Sequence, residues 1–222
     1  MSSRETTSLR QRWTAYQDLQ TLIKHWYWRP GWHPGRHFYT WHLTFQHQAA
    51  LHDHVIDLQQ QLALLPGLDL VPLDGLHLTT QGVGFTDEVS DSDLQAMIAE
   101  ARYRCGRLPP LQLSLGPVDP DAEGIGLLVR PWAAVERVRD AVRASIAAVW
   151  PVVPEPADGF RPHITIAYSG APRTHLTHSR PAGRTAAPTA GDSDDQRGLA
   201  DRVTPRRFHL PLVDRGDRPL TG

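Results

Sequence analysis

Two short stretches of this sequence carry, in one pattern, residues that can move protons and bind anions. They are His77-Leu78-Thr79-Thr80 and His163-Ile164-Thr165-Ile166, and their corresponding residues stand 86 positions apart. Side chains at i and i+2 of a strand share a face. His77, Thr79 and Gln81 are therefore expected on one face, with Leu76 and Leu78 packed behind. Likewise Arg161, His163, Thr165 and Ala167 share a face, with Pro162, Ile164, Ile166 and Tyr168 behind. Histidine and threonine in each stretch would lie roughly 7 Å apart, from about 3.3 Å of rise per residue. Two such dyads facing each other suit in-line displacement at phosphorus. One imidazole takes a proton from the nucleophile, the other gives one to the leaving oxygen, and the hydroxyls donate to the free oxygens. Imidazole is apt because its reference pKa of about 6.5 lets both protonation states exist near neutrality. Threonine hydroxyls stabilise developing charge without competing for the proton. The scheme calls for no metal ion and no cofactor.

A lone His-x-Thr means little, but the elements that must hold these two also repeat. Tyr39, Trp41, Leu43 and Phe45 alternate with Phe38, Thr40, His42 and Thr44, the period of a half-buried strand. A helix follows over about 48–65, with Leu51, Val55, Leu58, Leu62 and Leu65 at helical spacing and Pro66-Gly67 as its stop. Residues 75–84 form a second strand, and a helix runs from Asp91 to about Gly106. Leu111, Leu113 and Leu115 predict a third strand ending at Gly116-Pro117, and Ile125 to Val129 a fourth. Trp132, Val135, Val138, Val142, Ile146 and Val149 face one side of a helix, and Arg161 to Ser169 is a fifth strand. The first strand centres on Trp41 and the fourth on Leu127, again 86 apart. Strand–helix–strand is thus duplicated in register, and the expected fold is a bilobal α+β molecule whose antiparallel sheets face a central groove.

The flanks read differently. Leu9, Trp13, Tyr16, Leu19, Ile23 and Trp26 predict an amphipathic helix over 8–26, and Arg29 to Gly35 a turn-rich connector that interrupts regular structure. From Pro172 to Pro205 the only large apolar residues are Leu176, Leu199 and Val203, too few to offset the entropy of ordering. Phe208, Leu210 and Leu212 alternate and predict an edge strand, the one place in a sheet that tolerates Pro211. The chain therefore divides into a helix and connector (1–36), the duplicated domain (37–170), an irregular stretch (171–205) and an edge strand with a tail (206–222).

Bulk properties narrow the partners. A formal net charge of −1 gives no field to gather nucleic acid indiscriminately, so recognition must be local. The single cysteine, Cys105, precludes an internal disulfide and fits a reducing compartment. No apolar run approaches the roughly 20 residues of a membrane span, and the polar start from Met1 to Thr7 has no signal-peptide core. A cytoplasmic monomer with no membrane partner is expected.

Other residues compete for attention. His42-Leu43-Thr44-Phe45 looks like a third copy of the motif, but the repeat sets His42 opposite Leu128, so the second copy has no histidine there. His42 is assigned a substrate contact from the neighbouring strand and no part in proton transfer. Arg161 has the parity to meet a phosphate at the mouth of its strand. His47, His52 and His54 are not a compact ligand set on a helix and read as solvated residues, so no metal site is expected.

The sequence resembles the two-histidine (2H) phosphoesterase superfamily, in particular the 2′–5′ RNA ligase-like proteins. The likeness rests on the paired motifs His77-Leu78-Thr79-Thr80 and Arg161-Pro162-His163-Ile164-Thr165-Ile166-Ala167-Tyr168, and covers about residues 37–170. It implies a bilobal α+β fold with both histidines in a central groove, and hydrolysis of 2′,3′-cyclic phosphates or reversible formation of 2′–5′ bonds. It also implies that His77 and His163 are the catalytic pair and that Thr79 and Thr165 bind phosphate oxygens. The substrate would be an RNA end, an oligonucleotide or a cyclic nucleotide. Two alternatives stay open: a 2′–5′ RNA end-joining ligase, and a non-catalytic RNA- or nucleotide-binding protein with the same groove. After about residue 170 the chain departs from the family's pattern, in which a helix and a further strand complete the second lobe.

Overall fold

A computed structural model describes residues 3–17, 19, 21–174 and 212–214. Helix α1 (Ser3–Gln17) and a short strand β1 (Thr21–Leu22) lead through a turn-rich segment into β2 (Phe38–Thr44). Gly31 and Gly35 bend the connector with φ of 84° and 79°, a conformation that glycine reaches without steric cost. Helix α2 (Ala49–Leu62) follows, then β3 (Leu68–Leu70), a 3-10 turn over Leu73–Gly75, β4 (His77–Phe85) and α3 (Asp91–Cys105). The second half runs β5 (Ser114–Pro120), β6 (Gly124–Arg130), α4 (Trp132–Ala147) and β7 (His163–Ser169). Two short strands, β8 (Arg173–Thr174) and β9 (Leu212–Asp214), complete the described elements.

The strands form a three-stranded sheet, β4-β2-β9, a four-stranded sheet, β3-β7-β6-β5, and the pair β1-β8, with every pairing antiparallel. The fold class is mixed α+β with antiparallel sheets. The helices cross over. Helix α2, from the first repeat, packs on β7 of the second sheet, while α4, from the second repeat, packs on β4 of the first. Their apolar stripes make the core. Leu51 and Val55 of α2 join Leu76, Leu78, Leu127, Val129, Ile164 and Ile166, together with Val135 and Val138 of α4. A second cluster packs Trp41 and Val83 under Met97 and Ala101 of α3 and Val142 and Ile146 of α4. Helix α3 starts where Ser90 Oγ accepts from the Asp93 amide, as an N-cap should, with Asp91 and Asp93 in the first turn and Arg102 and Arg104 in the last.

Several expectations need correction. The N-terminal helix ends at Gln17, not near residue 26. It is held by polar contacts: Glu5, buried, accepts from the Trp132 amide at 2.6 Å, and Arg12 Nε meets Asp119 at 2.5 Å. The third strand does not stop at Gly116-Pro117. It runs on to Pro120, with a register shift between Leu115 and Val118 that lets it pass the glycine and proline. Strand β3, Leu-Asp-Leu, was not anticipated, being too short to alternate. The irregular stretch assigned to 171–205 lies outside the described residues from 175 on, and Arg173–Thr174 pair with β1. A short strand at Leu212–Asp214 pairs with β2 at the edge of its sheet, and Leu212 alone of the residues on which the expected edge strand rests lies in it. Phe208, Leu210 and Pro211 lie outside the described residues.

Candidate active site

Strands β4 and β7 carry the two motifs and lie in direct contact. In each, the motif histidine and threonine are half-exposed while the residues between and behind them are buried: Leu76 and Leu78 in the first, Ile164 and Ile166 in the second. The predicted alternation therefore holds across both motifs.

The two imidazoles are held in the same way. His77 Nδ1 lies 2.7 Å from the carbonyl oxygen of Gly75, and His163 Nδ1 lies 2.9 Å from that of Arg161, two residues back in each case. A carbonyl only accepts, so Nδ1 must carry the hydrogen and Nε2 is left as the atom able to take or give a proton. Gly75 closes the 3-10 turn before β4, which brings its carbonyl back over the ring. In the second motif the Arg161 carbonyl, just before Pro162 and β7, does the same.

Immediately beyond each threonine the ladder skips a residue. His42 pairs with Thr79 and Trp41 with Gln81, leaving Thr80 without an opposite number. Gly126 pairs with Thr165 and Ile125 with Ala167, leaving Ile166 likewise. Thr80 and Ile166 are themselves 86 apart, so the bulge is part of the duplication. Bulges recur beside active sites because they re-aim side chains, and here they reverse the parity beyond the motif. Gln81, expected beside His77, is fully buried instead. Its amide Nε2 donates to the Pro154 carbonyl at 2.6 Å, and its Oε1 accepts from Arg143 at 2.7 Å. Ala167, expected beside His163, is buried too. Tyr168, expected on the core side, is half-buried: it packs against the main core cluster and stacks its ring on His25 at 4.0 Å between centroids.

The demoted histidine has a defined place. His42 is buried, and its ring stacks on His77 at 4.2 Å and 20°. Strand pairing makes Gly126, not Leu128, its counterpart in the second repeat, because Gly126 faces Thr165 as His42 faces Thr79. A Cβ at Gly126 would lie 3.7 Å from His163 Cδ2. One motif histidine thus rests on an imidazole and the other on bare backbone.

Arg161 is committed elsewhere. Its guanidinium forms an ion pair with Asp119, whose other oxygen takes Arg12, and stands 3.6 Å from Asp121. Burial, and then repulsion from Arg12, pulls the Arg161 pKa down to about 10, so it remains charged at neutral pH. His163 is pushed below the ordinary imidazole range, chiefly by burial and also by the Arg161 and Arg12 charges. Its bond to the Arg161 carbonyl and the Asp121 charge oppose the shift. His163 is therefore neutral near pH 7. Among the described residues no three histidines, cysteines or carboxylates are gathered as a metal site. Of the three histidines read as helical, His47 precedes α2, and His52 places Nε2 2.9 Å from the Phe45 carbonyl.

The carbonyl ties at Gly75 and Arg161 and the paired bulges went unread in the sequence. The Pro162 that follows Arg161 was the one visible hint of an extended approach to His163.

With this geometry in place, the chain can be set beside known proteins. The family model described as the 2′-5′ RNA ligase superfamily matches residues 60–190, a span containing both motifs. No curated protein matches the sequence. Among solved structures, the MHV ns2 PDE domain is similar over 60% of this chain and 84% of its own, with 11% identity and a TM-score of 0.50; that likeness is one of fold. TT0787 of Thermus thermophilus is 21% identical over 63% of this chain and 80% of its own, with a TM-score of 0.49. E. coli LigT in apo form is 19% identical over 64% and 76%, with a TM-score of 0.48.

Proposed function

This chain belongs to the 2′-5′ RNA ligase superfamily, and from that premise we propose that it is a phosphodiesterase of RNA-type 2′,3′-cyclic phosphates or 2′–5′ bonds. The observation that carries the reading is the matched pair of imidazoles. Each has Nδ1 tied to the carbonyl two residues back, which leaves Nε2 for chemistry. The two sheets act as lobes on either side of a groove, and β4 and β7 present His77 with Thr79 and His163 with Thr165 to one phosphate. His163, kept neutral by burial, accepts the proton of the attacking water. His77 gives one to the ribose oxygen that leaves. The two threonine hydroxyls donate to the non-bridging oxygens as charge builds on them. His42 holds the His77 ring by stacking. Arg161, already paired with Asp119, contributes positive charge nearby more than a direct hydrogen bond.

The test is turnover of a 2′,3′-cyclic mononucleotide with a chelator present. Product formation that persists supports the reading. Activity that vanishes with the chelator and returns with a divalent metal would overturn it. With a ribose hydroxyl in place of water as nucleophile, the same two proton transfers would join a 2′,3′-cyclic end to that hydroxyl and free the other ribose oxygen, so cleaved RNA and a 2′–5′ linked dinucleotide belong in the same assay to set the outcome. Phosphate or nucleotide binding without turnover of any of the three would make the groove a binding site only.

A further inference from the structure

Buried backbone carbonyls need hydrogen-bond donors, and at both bulges the carbonyl of the skipped residue takes a long polar side chain from a helix, that of Ile166 in addition to the Val71 amide. Arg139 of α4 donates from Nε to the Thr80 carbonyl at 3.0 Å, and from Nη1 and Nη2 to the carbonyls of Ala157 and Pro156 at 2.6 and 2.8 Å. Gln59 of α2 donates from Nε2 to the Ile166 carbonyl at 2.9 Å and to that of Val71 at 2.7 Å. Arg139 is 6% exposed, so its guanidinium is a buried charge satisfied by three carbonyls. Two of those, Pro156 and Ala157, lie in the loop that leads to Arg161, whose own carbonyl holds His163.

The ties run crosswise. Helix α4 belongs to the second repeat, yet Arg139 grips the bulge after Thr79. Helix α2 belongs to the first, yet Gln59 grips the bulge after Thr165. We infer that Gln59 and Arg139 are reciprocal positioning residues: each holds the bulge behind the motif threonine of the other repeat, and together the two ties set the spacing of the His77 and His163 strands. The inference deepens the two-histidine reading and rests on it. Neither residue touches the reacting atoms. Their effect is on alignment, where displacement of the order of 1 Å costs about 100-fold in rate.

Three variants and a control test it. Gln59→Met is near in size and cannot donate, but it leaves the Ile166 carbonyl its bond from the Val71 amide at 3.0 Å, so the fold should survive. Gln59→Glu keeps the length and loses the donor. Arg139→Lys keeps the charge but cannot serve three carbonyls at once. Gln60→Met, an exposed neighbour on α2, is the control. Expected for Gln59→Met, Gln59→Glu and Arg139→Lys is a fall in kcat of about 10- to 100-fold with KM within about twofold, and no change for Gln60→Met. The second readout is the ring-nitrogen NMR of the motif histidines, which needs no substrate. Gln59→Met should move the His163 resonances and Arg139→Lys those of His77, each reaching across to the other repeat. Folded Gln59→Met with unchanged kcat and unchanged His163 resonances would overturn the inference, as would shifts confined to His77. Should the wild-type protein turn over no phosphodiester, the functional reading fails and the ring resonances alone decide this one. Should Arg139→Lys fail to fold, the two Gln59 variants decide it.

Discussion

A histidine tied through Nδ1 to a carbonyl can do chemistry only at Nε2, and this chain builds that arrangement twice. His77→Ala and His163→Ala should each lower turnover by about 10²–10⁴-fold, the worth of a positioned acid or base. Thr79→Ala and Thr165→Ala should cost less, since each removes one donor and leaves proton transfer intact. His42→Ala should also cost less than His77→Ala, because it removes a stacking partner and no proton carrier; steady-state kinetics on one cyclic nucleotide ranks all five. The lowered pKa of His163 fixes the sign of a pH effect. Burial, its first cause, makes the folded protein bind that proton later than the unfolded chain, whose imidazole has a pKa of about 6.5. Stability should thus fall as pH drops through about 6.5 and keep falling until the lower folded value is passed, because the unfolded state holds more protons there. Urea melts between pH 8 and 5 should show this slope in the wild type and a shallower one in His163→Ala. Activity should follow a bell whose two apparent pKa values belong to the coupled pair.

At the scale of elements, the parts legible in the sequence were those with a period. Helices α2, α3 and α4 and strands β2, β4, β6 and β7 appear where apolar spacing put them; the repeat of 86 survives in the motifs and their bulges, whereas by strand pairing β2 matches β6 at 84, His42 with Gly126. The misplaced residues share one cause. Parity counted past Thr79 and Thr165 assumes an unbroken ladder, and the bulges at Thr80 and Ile166 turn Gln81 and Ala167 inward. Nothing in an i, i+2 count reveals a skipped residue. The exchange of helices between sheets was equally hidden, because a helix's apolar stripe says that it must be covered and not by which sheet. Helix α1 was legible only in part: apolar spacing located it, but not its end at Gln17 nor its fastening through Glu5 and Arg12. Pro131 precedes α4 and its side chain has nothing to cap it with, so the Glu5 carboxylate on the Trp132 amide does that service from across the chain. Glu5→Ala should therefore lower stability by about 1–2 kcal/mol, the usual cost of a lost cap. Chemical denaturation measures it; a change within about 0.3 kcal/mol would show that α1 is not fastened there.

For the molecule as a whole, the decisive quantity is how its charge is spent. The net charge is −1, and several arginines of the described fold are matched by carboxylates where they stand. Arg12 and Arg161 share Asp119, Arg29 meets Glu123, Arg36 meets Asp87 and Glu88, and Arg104 meets Glu100. Such pairing leaves little field to follow a polynucleotide backbone, and each phosphate neutralised on a single strand contributes about −0.7 to the slope of log K against log salt. If the protein handles only the reacting phosphate and one neighbour, that slope should be about −1.4. A long RNA ending in a 2′,3′-cyclic phosphate should then be bound no more tightly, within about threefold, than a dinucleotide with the same end. Unmodified RNA should be a poor competitor. Titrating both substrates from low to physiological salt distinguishes the cases. A slope steeper than about −4, or strong competition by unmodified RNA, would mean that the chain reads backbone as well as ends, and that the charge pairs on its surface open when nucleic acid arrives.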